Sequence, residues 1–416
     1  MKHFGDITKI DGHKVPVVDI ITGGSPCQDL SIGKANREGL AGERSGLFHE
    51  MIRVVKEMRE YDRKFNGRTD EFIRPRYLVV ENVQGLLNAN GGEDFRTVLE
   101  EICRIADSNT SIPRLPNGEN WSNSGAIVGD NGNGTWSVSW RLHNSELWGV
   151  PQRRRRLAII GSFGNQSAPK ILFEQKGLQR NVGEGEKIRQ TAPEDIGIRS
   201  VLESGTRFIA YRKTSHPQKS KQGQGWQETD VADTLNCFDF GETRTPTIIF
   251  EKHGQDTRFK ELGDVSSSCT AHWGTGGNNT PLVLDSVAGL LRRLTPLEAE
   301  RLQGFPDNWT NIGDWVDSTG KKRKTVDSQR FRALGNSLAL PFWDWLADRM
   351  IQQLKADGVE HPTMASLFDG IGGFPLVHQR HGCEPVWASE IEEFPIAVTK
   401  KHFPEKEEQK GGLNET

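Results

Sequence analysis

A chain of 416 residues, 34% of them hydrophobic, can bury a sizeable core and still leave room for a second, more polar domain. A formal net charge of −3 argues mildly against a polyanion partner for the chain as a whole, and with no apolar run long enough to span a bilayer and Lys2-His3-Phe4-Gly5-Asp6 in place of an apolar signal core, the expectation is a soluble, cytoplasmic protein with no membrane partner. Cys27, Cys103, Cys237, Cys269 and Cys383 follow neither CxxC nor Cys/His ligand spacing, so no zinc site or disulfide framework is indicated and a thiol is left for chemistry.

Val17, Val18, Asp19, Ile20 and Ile21 form an apolar run ending at Gly23-Gly24, a buried strand entering a tight loop that holds Cys27. From Ser45 onward Leu47, Phe48, Met51, Ile52, Val55 and Met58 recur at helical spacing, predicting an amphipathic helix that returns the chain to a strand over 77–80, ending at Glu81-Asn82. Residues 93–106 read as another helix and 157–161 as another buried strand. Between them 107–134, rich in Asn, Gly and Ser, reads as a loop insertion. The alternation predicts an α/β fold with a doubly wound, mostly parallel sheet, whose ligands sit beyond the carboxyl ends of the strands.

From about 165 to 285 the alternation gives way to short β-like runs such as 207–211 and 247–250. A weak duplication is visible there: 231–236 leading to 245–249 resembles 265–270 leading to 280–284, which reads as paired β-loop units. Helical patterning resumes after Leu290, with Thr295-Pro296-Leu297-Glu298 as a helix start carrying Pro in its first turn and Glu in the capping position. Residues 364–368 then read as a buried strand, Asp369-Gly370-Ile371-Gly372-Gly373-Phe374 as a glycine-rich turn into a helix, and 386–390 as a second strand ending in an acid. A nucleotide-binding fold normally begins this way; here the pattern comes late and is followed by 401–416, which read as a frayed tail.

Three segments could carry chemistry. Gly23 to Gln28 places a thiol just after a strand, on a loop whose backbone amides can support negative charge; an isolated cysteine is ordinarily a buried filler, but a filler does not need a turn shaped by Gly-Gly and Pro. Glu81-Asn82-Val83 ends the neighbouring strand, which brings a carboxyl group to the same edge. Gln152 and the four arginines after it precede a strand, so alternate arginines point the same way. Basic residues also cluster at Arg212, Lys213, Lys219 and Lys221, at Arg292 and Arg293, and at Lys321 to Lys324, and for any single cluster a solvated surface is the ordinary explanation.

Together these motifs resemble those of the C5 cytosine-specific DNA methyltransferases, over nearly everything except about 165–285 and the Asn/Gly-rich insertion. The resemblance implies a catalytic domain in two parts, 1–164 and 287–416, with a smaller β/loop-rich target-recognition domain, 165–286, between them. It implies S-adenosyl-L-methionine as methyl donor and S-adenosyl-L-homocysteine as product, held by Phe368, Asp369, Gly370, Ile371, Gly372, Gly373 and Phe374, by Glu390 at the ribose with Ile391, by Asp6 and Ile7 at the adenine, and by Pro26 and Asn336. Pro26-Cys27-Gln28 is similar to the nucleophile motif, Glu81-Asn82-Val83 to the base-recognition motif, and Gln152 to Arg156 to the arginine motif. Leu294 to Pro306 and Ala333 to Ser337 resemble the two closing motifs. The implied catalytic set is Cys27, Glu81, Asn82, Arg154 and Arg156 with no metal, acting on a flipped-out cytosine through a covalent bond from Cys27 to carbon 6. Double-stranded DNA is the implied partner, touched by Gln28, Ser31, Arg212, Lys213 and Arg244, beside a cognate restriction endonuclease; the chain is expected to be a monomer.

Two departures stand out. The cofactor loop follows the closing motifs where family members normally start with it, as in a circular permutation that rejoins His402-Phe403-Pro404 to Lys2-His3-Phe4-Gly5-Asp6, and Ser31-Ile32-Gly33-Lys34 after the nucleophile is short. Competing readings are a Rossmann oxidoreductase, which would have no use for Cys27, Glu81 and Arg156; a tRNA cytosine-5 methyltransferase of the same fold; and an inactive DNA-binding relative.

Overall fold

The computed structural model describes residues 1–24, 46–116, 119–132, 134–173 and 290–405, and within 174–289 the stretches 210–213, 226–229, 249–252, 259–263, 266, 268–271, 273 and 280–285. In chain order, β1 (Lys2–His3) leads to β2 (Ile20–Gly23) and α1 (Gly46–Phe65). β3 (Tyr77–Val83), α2 (Glu93–Cys103), β4 (Ser124–Asp130), β5 (Thr135–Asn144), β6 (Arg155–Ser162) and α3 (Ala168–Leu172) follow. Short strands come next: β7 (Ala210–Lys213), β8 (Trp226–Thr229), β9 (Ile249–Lys252), β10 (Phe259–Gly263), β11 (Thr280–Asp285) and β12 (Leu290–Arg293). The rest is α4 (Pro296–Gln303), β13 (Asp314–Val316), β14 (Lys322–Lys324), α5 (Asp327–Asn336), α6 (Leu340–Ala356), β15 (Thr363–Leu367), α7 (Gly373–Arg380), β16 (Glu384–Ser389) and α8 (Glu393–His402).

Eight strands form one sheet in the order β1-β16-β15-β2-β3-β6-β5-β4. The first five are mutually parallel, and the last three run antiparallel to their neighbours. Because successive strand residues face opposite sides, Ile20, Tyr77, Val79 and Ile160 join an apolar cluster with α4 to α8, while Ile21, Leu78, Val80 and Ile159 join one with α1 and α2. Each such side chain contributes about 1.5–3 kcal/mol when fully buried, which fixes the register of the central strands. On the α1 side Phe48, Met51, Ile52, Val55 and Met58 are all buried, as their spacing predicts. The capping box of α4 is present: Thr295 Oγ1 accepts from the Glu298 N–H, and the Glu298 carboxylate accepts from the Thr295 N–H at 2.7 Å.

The edge of the sheet differs from expectation. The segment 107–134 is not all loop, because it contains β4, and the strand over 157–161 lies within β6, antiparallel to β3. The reason is local: short connections join β4, β5 and β6, and adjacent strands so joined must run antiparallel. Glycines that read as loop residues are packing residues here, since a Cβ on Gly125 or Gly129 would fall 2.2 Å from the rings of Trp140 and Trp136 on β5.

Elsewhere β10-β9-β11-β12 form an antiparallel sheet and β7 pairs with β8. The strand ends of the two duplicated units, β9 and β11, pair with each other, Phe250 opposite Leu282. Of the strand expected over 207–211, only the part within β7 lies among the described residues. Finally, β1 pairs with β16, Lys2 opposite Trp387, and the Met1 ammonium donates to the carbonyls of Phe403 at 3.2 Å and Pro404 at 3.0 Å.

Candidate active site

The register of three parallel strands builds the site. Leu367 at the end of β15 lies opposite Gly23, and Gly23 opposite Val80, so Phe368, Gly24 and Glu81 emerge side by side at the carboxyl edge. The approach is close: a Cβ on Gly23 would meet Met51 Sδ at 2.8 Å, and one on Gly24 would meet Glu81 Oε2 at 3.0 Å. Arg156, opposite Val83 on β6, shares a face with Glu81, and its Nε donates to Glu81 Oε1 at 2.8 Å. Both side chains are less than a fifth exposed, which strengthens the pair relative to a surface one. Oε2 is left facing Gly24.

The alternation expected of the arginine motif is present, with Gln152 and Arg154 buried and Arg153 and Arg155 exposed. Arg154 is a framework post: its guanidinium donates to the carbonyls of Cys269 at 2.9 Å, Gly335 at 3.1 Å and Ser337, and burial lowers its pKa to about 9, the neighbouring Arg156 charge adding to the effect. Gln152 donates to the Leu302 carbonyl at 2.8 Å and accepts from the Cys269 N–H at 2.9 Å, while Gln303 donates to the Leu334 carbonyl at 2.8 Å. The strand carrying Arg156 is thereby tied to both closing motifs. Asn82 faces away from Glu81 on the strand, buried, its amide oxygen accepting the Val83 N–H at 2.8 Å.

Sequence reasoning missed His143. It lies opposite Arg156 on β5, buried, its ring stacked on Phe342 with centroids 3.7 Å apart. Burial first, then the charges of Arg156, Arg141 and Arg154, pushes its pKa down to about 3, so it is neutral and adds no charge to the arginine cluster. A histidine at ordinary strand spacing gave no signal; only the pairing with Arg156 reveals it.

The glycine-rich turn follows β15. Phe368 and Gly370 both take positive φ, 55° and 58°, a turn that only tight surroundings hold in a non-glycine residue. The Gly370 N–H donates to Glu390 Oε2 at 2.7 Å, and the Ile391 and Glu392 N–H groups donate to Oε1 at 2.7 and 2.9 Å, so the acid ending β16 locks both loops. Gly372 starts α7 at φ 79°, where a Cβ would lie 2.9 Å from the Phe403 ring. Trp309, three residues beyond the first closing motif, donates from Nε1 to the Ile371 carbonyl at 2.8 Å. The Asp369 carboxyl is buried beside the Ser366 hydroxyl, and burial raises its pKa to about 8, the Ser366 hydrogen bond opposing the rise and the Glu390 charge adding to it.

Not every expected cofactor residue presents its side chain. Ile371, Phe374 and Ile7 are buried in the apolar clusters, so only their backbones are available to a ligand. Asp6 spends its carboxylate on Thr8, accepting from its N–H at 3.0 Å and its hydroxyl at 2.9 Å. Ile391 is 69% exposed beside Glu390, and Asn336 is exposed at the end of α5. Pro26, Cys27, Gln28, Ser31 and Arg244 lie outside the described residues, and Arg212 and Lys213 are placed only as backbone of β7. The thiols of Cys103, Cys269 and Cys383 are buried and their pKa values raised by that burial, the first two to about 12, the opposite of what a nucleophile needs.

A glycine turn, a carboxylate–arginine pair and two closing motifs converging on one sheet edge define a family. The sequence model of the C-5 cytosine-specific DNA methylases matches residues 1–105 and 128–352, and the chain belongs to that family. Similar curated proteins are the DNA N-6-adenine-methyltransferase of Escherichia phage P1, 25% identical over 84% of this chain and 55% of its own length, and the type II methyltransferase M1.ScrFI of Lactococcus lactis subsp. cremoris, 25% identical over 84% of this chain and 67% of its own. The type II methyltransferase M.BsuFI of Bacillus subtilis is 29% identical over 85% of this chain and 62% of its own. The chain thus spans between 55% and 67% of these relatives' lengths. No helix among the described residues is long and apolar enough to cross a membrane.

Proposed function

We propose that this chain transfers a methyl group from S-adenosyl-L-methionine to carbon 5 of a cytosine flipped out of duplex DNA, through a covalent bond between Cys27 and carbon 6. One observation supports the reading: Glu81, clamped by Arg156, keeps its second oxygen against Gly24, at the strand edge where the glycine turn also begins. The turn fits the cofactor. Its positive-φ residues, the carboxyl group of Glu390 and the exposed Ile391 face would hold a nucleoside and an amino-acid tail, and the buried Asp369 carboxyl lies in the same turn. Bound there, the donor supplies an electrophilic methyl group on a sulfonium.

The residues then divide the work. Carbon 5 of cytosine is a weak nucleophile, and the Cys27 thiolate remedies this by forming an S–C6 bond as the C5–C6 double bond opens, which makes carbon 5 electron-rich. Glu81 holds a proton at ring N3, and Arg156 donates to the O2 oxygen, so the charge that develops on the ring is met by groups already in place. After transfer, loss of the carbon 5 proton re-forms the double bond and expels Cys27. A base inside a duplex offers neither face to a thiol, which requires flipping.

The organisation proposed with it is a catalytic domain, 1–164 and 287–416, and a target-recognition domain, 165–286, with Arg212, Lys213 and Arg244 among its DNA donors and Gln28 and Ser31 contacting DNA from the nucleophile loop. The motif order is that of a circular permutation; the contact of Met1 with Phe403 and Pro404 supports it, since those two segments would be continuous in the ordinary order. Cytoplasmic location, a cognate endonuclease and a monomeric state complete the proposal. Incubation with DNA and labelled donor followed by sequencing for 5-methylcytosine tests it. Incorporation is expected, and Cys27→Ser should abolish it while leaving donor affinity nearly unchanged; a chain that binds donor and DNA yet incorporates nothing overturns the reading.

A further inference from the structure

We propose that the hairpin of β13 and β14 grips the phosphate backbone of duplex DNA flanking the target base, through Lys321, Lys322 and Lys324. The inference rests on the methyltransferase reading above. The hairpin lies between the two closing motifs and outside the proposed target-recognition domain, and it concentrates four consecutive basic residues on a chain whose formal net charge is −3. One of the four is spent on the fold: Arg323 Nε donates to Asp317 at 2.8 Å, and Asp317 also accepts from the Thr319 and Lys321 N–H groups, which shapes the turn. No carboxylate among the described residues pairs with the other three. All are exposed, and Lys324 lies opposite Asp314 without an ion pair.

The hairpin is held in place. Trp315, opposite Arg323, is buried against Phe394 of α8 with ring centroids 5.9 Å apart, and the Ser318 N–H and hydroxyl both donate to the Glu393 carboxylate. Thr325 closes the base by donating to the Gly313 carbonyl from its N–H and its hydroxyl. With one face so anchored, the other presents Val316 and Lys322, then Lys324, to solvent, and Lys321 stands at the turn. Three desolvation-free ammonium groups on a fixed ribbon match the chemistry of a polyanion, which such groups bind by releasing its counterions.

α5 runs its 10 residues from the base of the hairpin toward Gly335 and Ser337, whose carbonyls accept from Arg154 beside the catalytic strand. At 1.5 Å per residue that helix spans about 15 Å, the length of about four to five base pairs of duplex, which sets the scale of the flank on which the lysines are proposed to act. Lysines that hold phosphates carry no sequence information, so their loss should weaken all duplexes alike.

The test compares the full chain with a Lys321→Ala/Lys322→Ala/Lys324→Ala variant, measuring duplex binding by fluorescence anisotropy across about 50–200 mM salt with S-adenosylhomocysteine present. The slope of log affinity against log salt should fall by about 1 per lysine, about 3 in all, with homocysteine-product affinity and thermal midpoint unchanged. Trimming the duplex on one side of the target to about three base pairs should bring the parent slope down to the variant's. Equal slopes for the two proteins overturn the proposal, and so does a difference that survives trimming of either flank, because that would be a charge effect at a distance. If neither protein binds duplex while both bind the homocysteine product, the methyltransferase reading on DNA fails and the hairpin proposal falls with it.

Discussion

Gly24→Ala probes the site at its tightest contact. The added methyl group would stand 3.0 Å from Glu81 Oε2, a few tenths of an ångström inside ordinary contact, and Gly24 has no positive φ, so the backbone itself accepts alanine. The carboxylate cannot simply swing away, because its other oxygen is held by Arg156 at 2.8 Å and its strand is paired on both sides. It must therefore shift by roughly half an ångström, and since a misplacement of about 1 Å can cost about a hundredfold, kcat should fall about tenfold, equivalent to about 1.4 kcal/mol. Folding should change by less than about 1 kcal/mol, as nothing in the core is displaced. The assay is single-turnover methyl transfer with donor and DNA saturating, alongside urea denaturation. Gly23→Ala provides the contrast: its methyl group would meet Met51 Sδ at 2.8 Å inside the core, so stability should drop by about 1–3 kcal/mol. A Gly24→Ala protein of normal stability with kcat within about twofold of the parent would refute the wedging of Glu81.

Two further outcomes follow from the packing and the charges. Gly335→Ala would place a methyl group 2.2 Å from the backbone of Thr270 and Ala271 and should cost about 2–3 kcal/mol in urea denaturation; an unchanged midpoint would mean that this segment does not sit against α5. With its pKa raised from 3.8 to about 8, Asp369 keeps a proton in the folded state that the unfolded chain releases, so its contribution to stability is present below pH 4 and is lost as pH rises to about 8. Asn at that position has no proton to lose, and the thermal midpoint of Asp369→Asn should therefore gain on the parent through that range and then level off; parallel pH profiles would show that Asp369 is not buried as an acid.

Some of this was legible in the chain and some was not, and the division follows the range of the forces involved. Short continuous apolar runs named β2, β3 and β15 and the helical spacing named α1, because burial is written into neighbouring positions. The motif residues Glu81, Arg156 and Glu390 were readable as types at strand ends. The strand β4 was not, since Gly125 and Gly129 look like loop residues until Trp136 and Trp140 cover them. Nor was His143, whose position depends on register between two strands.

The sequence by itself determined which residues would sit at strand ends and which faces would be apolar, because periodicity and turn chemistry act over a few residues. Only the tertiary structure decided that Glu81 pairs with Arg156 and leaves Arg154 as a post between carbonyls, that the glycine turn near residue 370 stands beside Gly24, and that Met1 meets Phe403. Those neighbours are separated by up to about 400 positions along the chain, and contacts of that range exist only once sheet order and register have placed the strands side by side.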